Sequence, residues 1–169
     1  MLIKDMAKRD AEDVLRTYWN DEGFPVDPFV IAERMGIRAG RMELDDDTSG
    51  LIVARLETQS QIWVEIRDTR PRQRFTCAHE LGHYVERTQT KSDLSKGFSF
   101  VDKRTSKRDA HEFYADEFAG NLLMPEQRVL ELEDRLSLIR MAGYFDVSVP
   151  AMEVRLRRLN IDLRAAAAG

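Results

Sequence analysis

A single cysteine, Cys77, stands in 169 residues, so the chain cannot close an intramolecular disulfide. No apolar run approaches the roughly 20 residues that a membrane-spanning helix needs. The opening segment, Met1 to Asp10, is charged throughout and lacks the apolar stretch of a signal peptide. These absences point to a reducing, cytoplasmic setting with no membrane attachment. Positive charge is not in excess: the formal net charge is -4, which argues against a strongly electrostatic binder of nucleic acid or anionic membrane. Histidine is scarce, with three in the whole chain. Low-complexity sequence is confined to Ala165 to Gly169, which reads as a frayed tail.

What is present suits one folded unit. Hydrophobic residues make up 43% and charged residues 33%, the balance of a globular chain and not of a disordered one. The length fits a single domain, residues 1–169. Within it we expect a core over about 1–125 that includes a sheet, and a C-terminal helical subdomain over about 126–160.

Residues 5 to 20 read as an amphipathic helix with Met6, Val14, Leu15, Tyr18 and Trp19 inward, ended by Gly23. Asp27-Pro28 reads as an N-cap followed by proline at the first helical position, with a short helix running to Gly36. Ile37 to Met42 is a candidate strand, and the acidic stretch Leu44 to Ser49 a loop. Gly50 to Leu56 and Gln61 to Ile66 are β-rich and read as a hairpin, with Ile62, Val64 and Ile66 on one face and Trp63 and Glu65 on the other. From Pro71 the period turns helical, with Phe75, Ala78, Leu81, Gly82 and Val85 forming the stripe. A polar link over about Thr88 to Ser106 precedes a helix from Lys107 to Leu123. Pro125 opens another, and helices over about Leu132 to Gly143 and Ser148 to Leu159 follow. Helix, small antiparallel sheet, then helices is an α+β layout.

The chemistry sits between residues 79 and 116. His79 and His83 are four apart, so one helix face carries both imidazoles and lets them reach one ion at about 2.0–2.1 Å. Glu80 follows His79 directly and can take a proton from water as general base. Gly82, on the opposite side, permits close approach of another helix. The motif needs a third ligand. A metzincin would place Gly at 86 and His at 89; Glu86 and Gln89 stand there, which excludes that class. Glu112 and Asp116, i and i+4 on a later helix, supply a carboxylate ligand and a second carboxylate able to fix the tautomer of a ligand histidine. His111 adjoins Glu112, and neighbouring helix residues point about 100° apart, so both cannot reach one ion; the four-residue partner favours Glu112. The plain alternative is a chance HExxH with solvated histidines. Against it stand two of three histidines inside the motif, a clean amphipathic helix and a complementary downstream helix.

Other features have plainer readings. Tyr84 and Tyr114 are candidates for transition-state or substrate contacts, although packing is the usual role of such tyrosines. Cys77 reads as a small buried residue. An extended substrate would pair along the strand Ile62 to Ile66, expected at the sheet edge.

Arg74 to Tyr84, RFTCAHELGHY, resembles the signature helix of the ImmA/IrrE family of metallopeptidases. Glu112 to Pro125, EFYADEFAGNLLMP, resembles its second motif, and weaker likeness runs from Pro25 to Ile37 and from Val147 to Leu156. The resemblance implies a gluzincin-type endopeptidase with a zincin-like helical core. It implies one Zn²⁺ on His79, His83 and Glu112, and Glu80 as base. It also implies, as substrate, a helix-turn-helix repressor of a mobile element, prophage or stress regulon. Tyr114 departs from the pattern, since Glu is common there.

Leu136 to Leu159 resembles a helix-turn-helix, with Arg155, Arg157, Arg158 and Arg164 nearby. The acidic net charge favours a core-completing role for Leu136, Ile139, Met152, Leu156 and Leu159 with the arginines solvated, or a partner surface, over DNA contact. Two function classes stay open: a peptidase acting on a repressor, and a non-proteolytic metal-binding sensor or interaction protein, such as a toxin–antitoxin partner. Tolerance of Glu80→Gln separates them.

Overall fold

The computed structural model describes residues 1–55, 57–90, 97–104 and 109–162. Helix α1 (Ile3–Val14) runs on through one wider π turn, Leu15–Trp19, and stops at a left-handed Asn20, ahead of Gly23. Ala7, Ala11 and Val14 are its buried stripe, with Met6, Leu15, Tyr18 and Trp19 packed at the margin of the core. The Asp27 carboxylate accepts the amides of Phe29 and Val30 at 2.9 and 3.4 Å, which starts α2 (Pro28–Arg34). Gly36, at φ +79°, turns the chain out of that helix.

Four strands follow: β1 (Arg38–Met42), β2 (Thr48–Arg55), β3 (Thr58–Glu65) and β4 (Phe98–Lys103), in the order β1-β3-β2-β4. The expected hairpin is β2–β3, paired antiparallel with Ile52 opposite Ile62. Several expectations are corrected here. The sheet is mixed, because β1 runs parallel to β3. The link after residue 88 contains a strand, β4, in which Phe98, Phe100 and Asp102 face inward in alternation. Strand β2 begins at Thr48, inside the segment read as a loop. Most important for function, β3 lies between β1 and β2 and has no free edge; β4 is the edge strand on the β2 side.

The face assignment in β3 also changes at its end. Ile62 and Val64 are fully buried, but Ile66 lies beyond the strand and is 53% exposed, while Glu65 is 2% exposed. The cause is hydrogen bonding. The Glu65 carboxylate accepts the amides of Leu44 and Arg67 at 2.9 and 2.8 Å and the Arg67 guanidinium from Nε and Nη2 at 2.9 Å each. A carboxylate satisfied in this way can be enclosed without its desolvation cost dominating.

Helix α3 (Arg70–Val85) lies on the sheet through β2 and β3, α4 (Ala110–Leu123) packs on α3, and α1 packs on α4. The expected start of α4 at Lys107 falls outside the described residues; within them it starts at Ala110, under an Asp109 cap. Contact between α3 and α4 depends on Gly82: a Cβ there would lie 2.9 Å from Ala115 Cα and 3.2 Å from Phe118 Cβ. Three shorter helices close the chain: α5 (Glu126–Leu132), α6 (Leu138–Phe145) and α7 (Val149–Arg158). Ser137 and Ser148 cap the last two, so the helix expected from Leu132 begins later, at Leu138.

Met152 and Leu156 complete the core and Leu136 and Leu159 pack against it, whereas Ile139 is 72% exposed. Arg155 is buried, not solvated: its guanidinium donates to Met124 O and Asn121 Oδ1, both at 2.9 Å, and anchors α7 to the end of α4. Arg158 pairs with Glu117 at 2.7 Å and Arg157 is exposed. Arg164 and the tail from Ala165 to Gly169 lie outside the described residues. No helix among the described residues is long and apolar enough to cross a membrane.

The Glu65–Arg67 pair gives a test of this packing. The guanidinium and backbone hydrogen bonds from Arg67 hold the Glu65 carboxyl down at about 2, from an ordinary 4.5. Its contribution to stability is therefore complete above pH 4.5 and disappears as the pH falls through about 2. Glu65→Gln should lower the urea midpoint at pH 7, and the gap from the parent should close between pH 4.5 and about 2. A gap independent of pH across that window would assign the loss to packing alone.

Candidate metal centre

Three side chains from two helices meet at one point. On α3, the four-residue spacing brings His79 and His83 edge to face, with ring centroids 4.8 Å apart and Nε2 atoms 3.1 Å apart. On α4, Asp109 accepts the amides of His111 and Glu112 at 2.9 and 3.0 Å, which sets Glu112 in the first turn. The Glu112 carboxylate spans both rings: Oε2 lies 3.3 Å from His79 Nε2, and Oε1 lies 3.2 Å from His83 Nε2. One ligand atom from each residue falls within a 4.8 Å group. Four-coordinate zinc at about 2.0–2.1 Å from nitrogen or oxygen would separate neighbouring ligand atoms by about 3.3–3.4 Å. The two Nε2 atoms, 3.1 Å apart, and a Glu112 oxygen within 3.3 Å of each are close to that spacing, with a different carboxylate oxygen facing each ring.

The surroundings orient the same atoms. Asp116 Oδ1 lies 3.0 Å from His79 Nδ1, so a proton on Nδ1 is held by the carboxylate and the Nε2 lone pair is turned toward His83 and Glu112. His83 is 1% exposed, and its ring stacks on Phe100 of β4 at 4.6 Å and 11°. Glu80 is fully buried, and neither of its oxygens has a hydrogen-bond partner among the described residues. It points toward the sheet at Gly50, where a Cβ would come 3.2 Å from its Oε1.

The electrostatics of this cluster call for positive charge. Burial pushes the Glu80 carboxyl up to about 8, with Asp102 and Glu112 adding to the effect and His79 opposing it. Burial disfavours charge on His79, yet the hydrogen bonds to Asp116 and Glu112 outweigh it and raise the imidazole to about 10. Hydrogen bonds from His79 and His83 hold Glu112 well below the usual carboxylate range. Two imidazoles and a carboxylate, converging where carboxylates are crowded, are a donor set suited to a borderline divalent cation.

Other residues singled out in the sequence lie elsewhere. Tyr114 is not brought to the centre: it is 1% exposed and its hydroxyl donates to Asp10 of α1 at 2.6 Å. Tyr84 is half-buried with its ring 6.3 Å from that of Phe98. His111 Nδ1 faces the Glu86 carboxylate, 2.9 Å from each oxygen. Cys77 is buried, and burial pushes its thiol well above its usual value. Conversely, sequence reasoning did not reach Gly50, Phe100, Asp102 or Gly120. The Phe98-Ser99-Phe100-Val101-Asp102 alternation carried a strand signal for two of them; nothing local marked Gly50.

A cleft of about 710 Å³ opens on the centre. Thr76 and His79 of α3, Asp102 of β4, and Glu112, Asp116 and Gly120 of α4 line it, and α7 closes the far side. Asp102 is opposite Gly50 in the β2–β4 register, so the edge strand runs beside the centre.

Gly50 is the narrowest point of this assembly, since a Cβ there would fall 2.4 Å from Thr76 Cγ2. Gly50→Ala should destabilise the protein by about 1–3 kcal/mol through overpacking of α3 against β2. Urea denaturation measures this, and an unchanged midpoint would mean that the helix does not sit so close.

Comparison with curated proteins finds no match. A family model, the IrrE N-terminal-like domain of peptidase M78, matches residues 32–157, which span every strand, both motif helices and most of α7. With the paired motifs now placed on α3 and α4, the chain belongs to the ImmA/IrrE family of metallopeptidases.

Proposed function

We propose that this protein is a zinc-dependent endopeptidase that cuts a helix-turn-helix transcriptional repressor, and so derepresses a mobile-element, prophage or stress regulon. The observation that carries the peptidase reading is the convergence of His79, His83 and Glu112 beside a buried Glu80 with no hydrogen-bond partner among the described residues. Family membership supports the choice of a repressor, and a repressor substrate in turn supports a cytoplasmic location.

In this reading His79, His83 and Glu112 would hold the ion. Zn²⁺ so held supplies Lewis acidity for a scissile carbonyl and lowers the pKa of water. Glu80 has lone pairs that no donor among the described residues occupies, so once ionised it can take a proton from water and deliver it to the departing amine. Asp116 keeps His79 in the tautomer that presents Nε2. The substrate would lie in the cleft along β4, the last strand on the β2 side of the sheet among the described residues, and pair with it by backbone hydrogen bonding.

Two measurements test this. Asp116→Ala should retain one zinc per chain but weaken affinity about 10–100-fold in a chelator competition, as loss of an orienting carboxylate does; unchanged affinity would remove its orienting role. Zinc-loaded protein incubated with the repressor encoded beside it should yield one discrete pair of fragments by intact mass, and Glu80→Gln should yield none. If both proteins bind zinc and leave a folded repressor intact, the sensing or interaction class takes the place of the peptidase.

A further inference from the structure

Glycine is a poor choice for the interior of a helix, second only to proline. Gly120 nevertheless sits in α4, one turn after Asp116 and two after Glu112, on the same side of the helix. It is buried, yet a Cβ built on it would meet nothing within 4 Å. Gly82 shows the opposite situation, a missing Cβ whose place is taken by the neighbouring helix. No neighbour crowds Gly120, so close packing does not account for it.

The space beside Gly120 belongs to the 710 Å³ cleft. The lining of that cleft includes Phe75 of α3, Met124 at the end of α4, and Pro150, Ala151 and Val154 of α7, with Arg155 and Arg158 beside them. Phe75 precedes His79 by one turn and Gly120 follows Asp116 by one turn, and His79 and Asp116 are joined at 3.0 Å. This apolar part of the cleft thus begins about 6 Å along each helix from the centre. Val154 is 42% exposed, an apolar side chain at the mouth with room in front of it. Apolar side chains gathered along one part of a cleft next to a reactive centre suit a side-chain specificity pocket.

We propose that Gly120 is the floor of a specificity pocket that takes a large apolar substrate side chain, of leucine, methionine or phenylalanine size, adjoining the bond to be cut. This rests on the peptidase reading above. The missing Cβ sets the depth of the pocket, and α7, anchored through Arg155 to Met124 O and Asn121, supplies its far wall. The C-terminal helices would then serve the substrate directly, and not only complete the core.

The test uses the full chain loaded with zinc, as wild type, Gly120→Ala and Gly120→Leu. A mixture of peptides varied at the positions flanking the cut is digested and read by mass spectrometry. The wild type should favour a large apolar residue at one flanking position. Gly120→Leu should lower kcat/KM for those peptides by about tenfold or more, leave alanine-bearing peptides largely unchanged, and melt no lower than the wild type; Gly120→Ala should fall between. A second readout does not need cleavage. N-acetylphenylalaninamide added to zinc-loaded Glu80→Gln protein should shift the NMR signals of Phe75, Met124 and Val154, and adding Gly120→Leu should abolish those shifts. The pocket is overturned if folded, zinc-loaded Gly120→Leu slows all peptides alike or none, or if the probe leaves the three residues unmoved. Probe binding that depends on Gly120, with no peptide cut by the wild type, would keep the pocket and remove the peptidase reading. Cutting with no size preference would do the reverse.

Discussion

Everything at the centre depends on how closely α4 approaches α3. His79 and His83 share a face because of helical periodicity alone, but Glu112 and Asp116 reach them only because the two helices meet at a point without side chain. Gly82 provides it: its missing Cβ leaves room for Ala115 Cα within what would be 2.9 Å. A larger residue there would force the helices apart by a distance comparable to the tolerance of a ligand shell, and the 3.2–3.3 Å separations from Glu112 to both imidazoles would be lost. Gly50 does the same on the sheet side, where it lets Thr76 and Glu80 lie against β2. Helix α3 is thus pressed between two glycine contacts, one below and one beside it.

The second constraint is electrostatic. Burying ionisable groups is costly unless they are paired or neutralised. Several are satisfied within the fold: Glu65 with Arg67, Arg155 with the end of α4, and Arg74 with the carbonyls of Val26, Phe145 and Asp146. Glu80 is fully enclosed with both oxygens unpartnered among the described residues, and Asp102 and Glu112 add to the pressure against its ionisation. A carboxylate enclosed with neither oxygen partnered, among other carboxylates that oppose its ionisation, is the pattern expected of a functional centre.

Much of this was legible in the sequence, for physical reasons. Periodicity is local, so the α3 stripe, the Asp27-Pro28 start of α2 and the β2–β3 hairpin could be read directly. The i, i+4 pairs 79/83 and 112/116 made His79, His83 and Glu112 candidate ligands and Asp116 an orienting carboxylate, and the fold brings these side chains together. What escaped was non-local. The order β1-β3-β2-β4 puts β3 inside the sheet, and no alternation of residues could tell an inner strand from an edge one. Strand β4 was hidden in a link rich in Lys, Ser and Asp. Glu65 looked outward-facing until the turn through Arg67 enclosed it, and Arg155 looked like a solvated cation until α7 was set against α4. Tyr114 had been a candidate for the cleft by its place between Glu112 and Asp116, and helical geometry turns it to the other side, onto Asp10.

The central claim is that two imidazoles and one carboxylate, from α3 and α4, share a single ion. X-ray absorption at the zinc K-edge of the loaded protein examines that shell directly. The account predicts one zinc per chain with two histidine nitrogens and light oxygen donors at about 2.0–2.1 Å, and one histidine fewer in His83→Ala. A sulfur ligand, a shell without two histidines, or a spectrum indifferent to His83→Ala would contradict it.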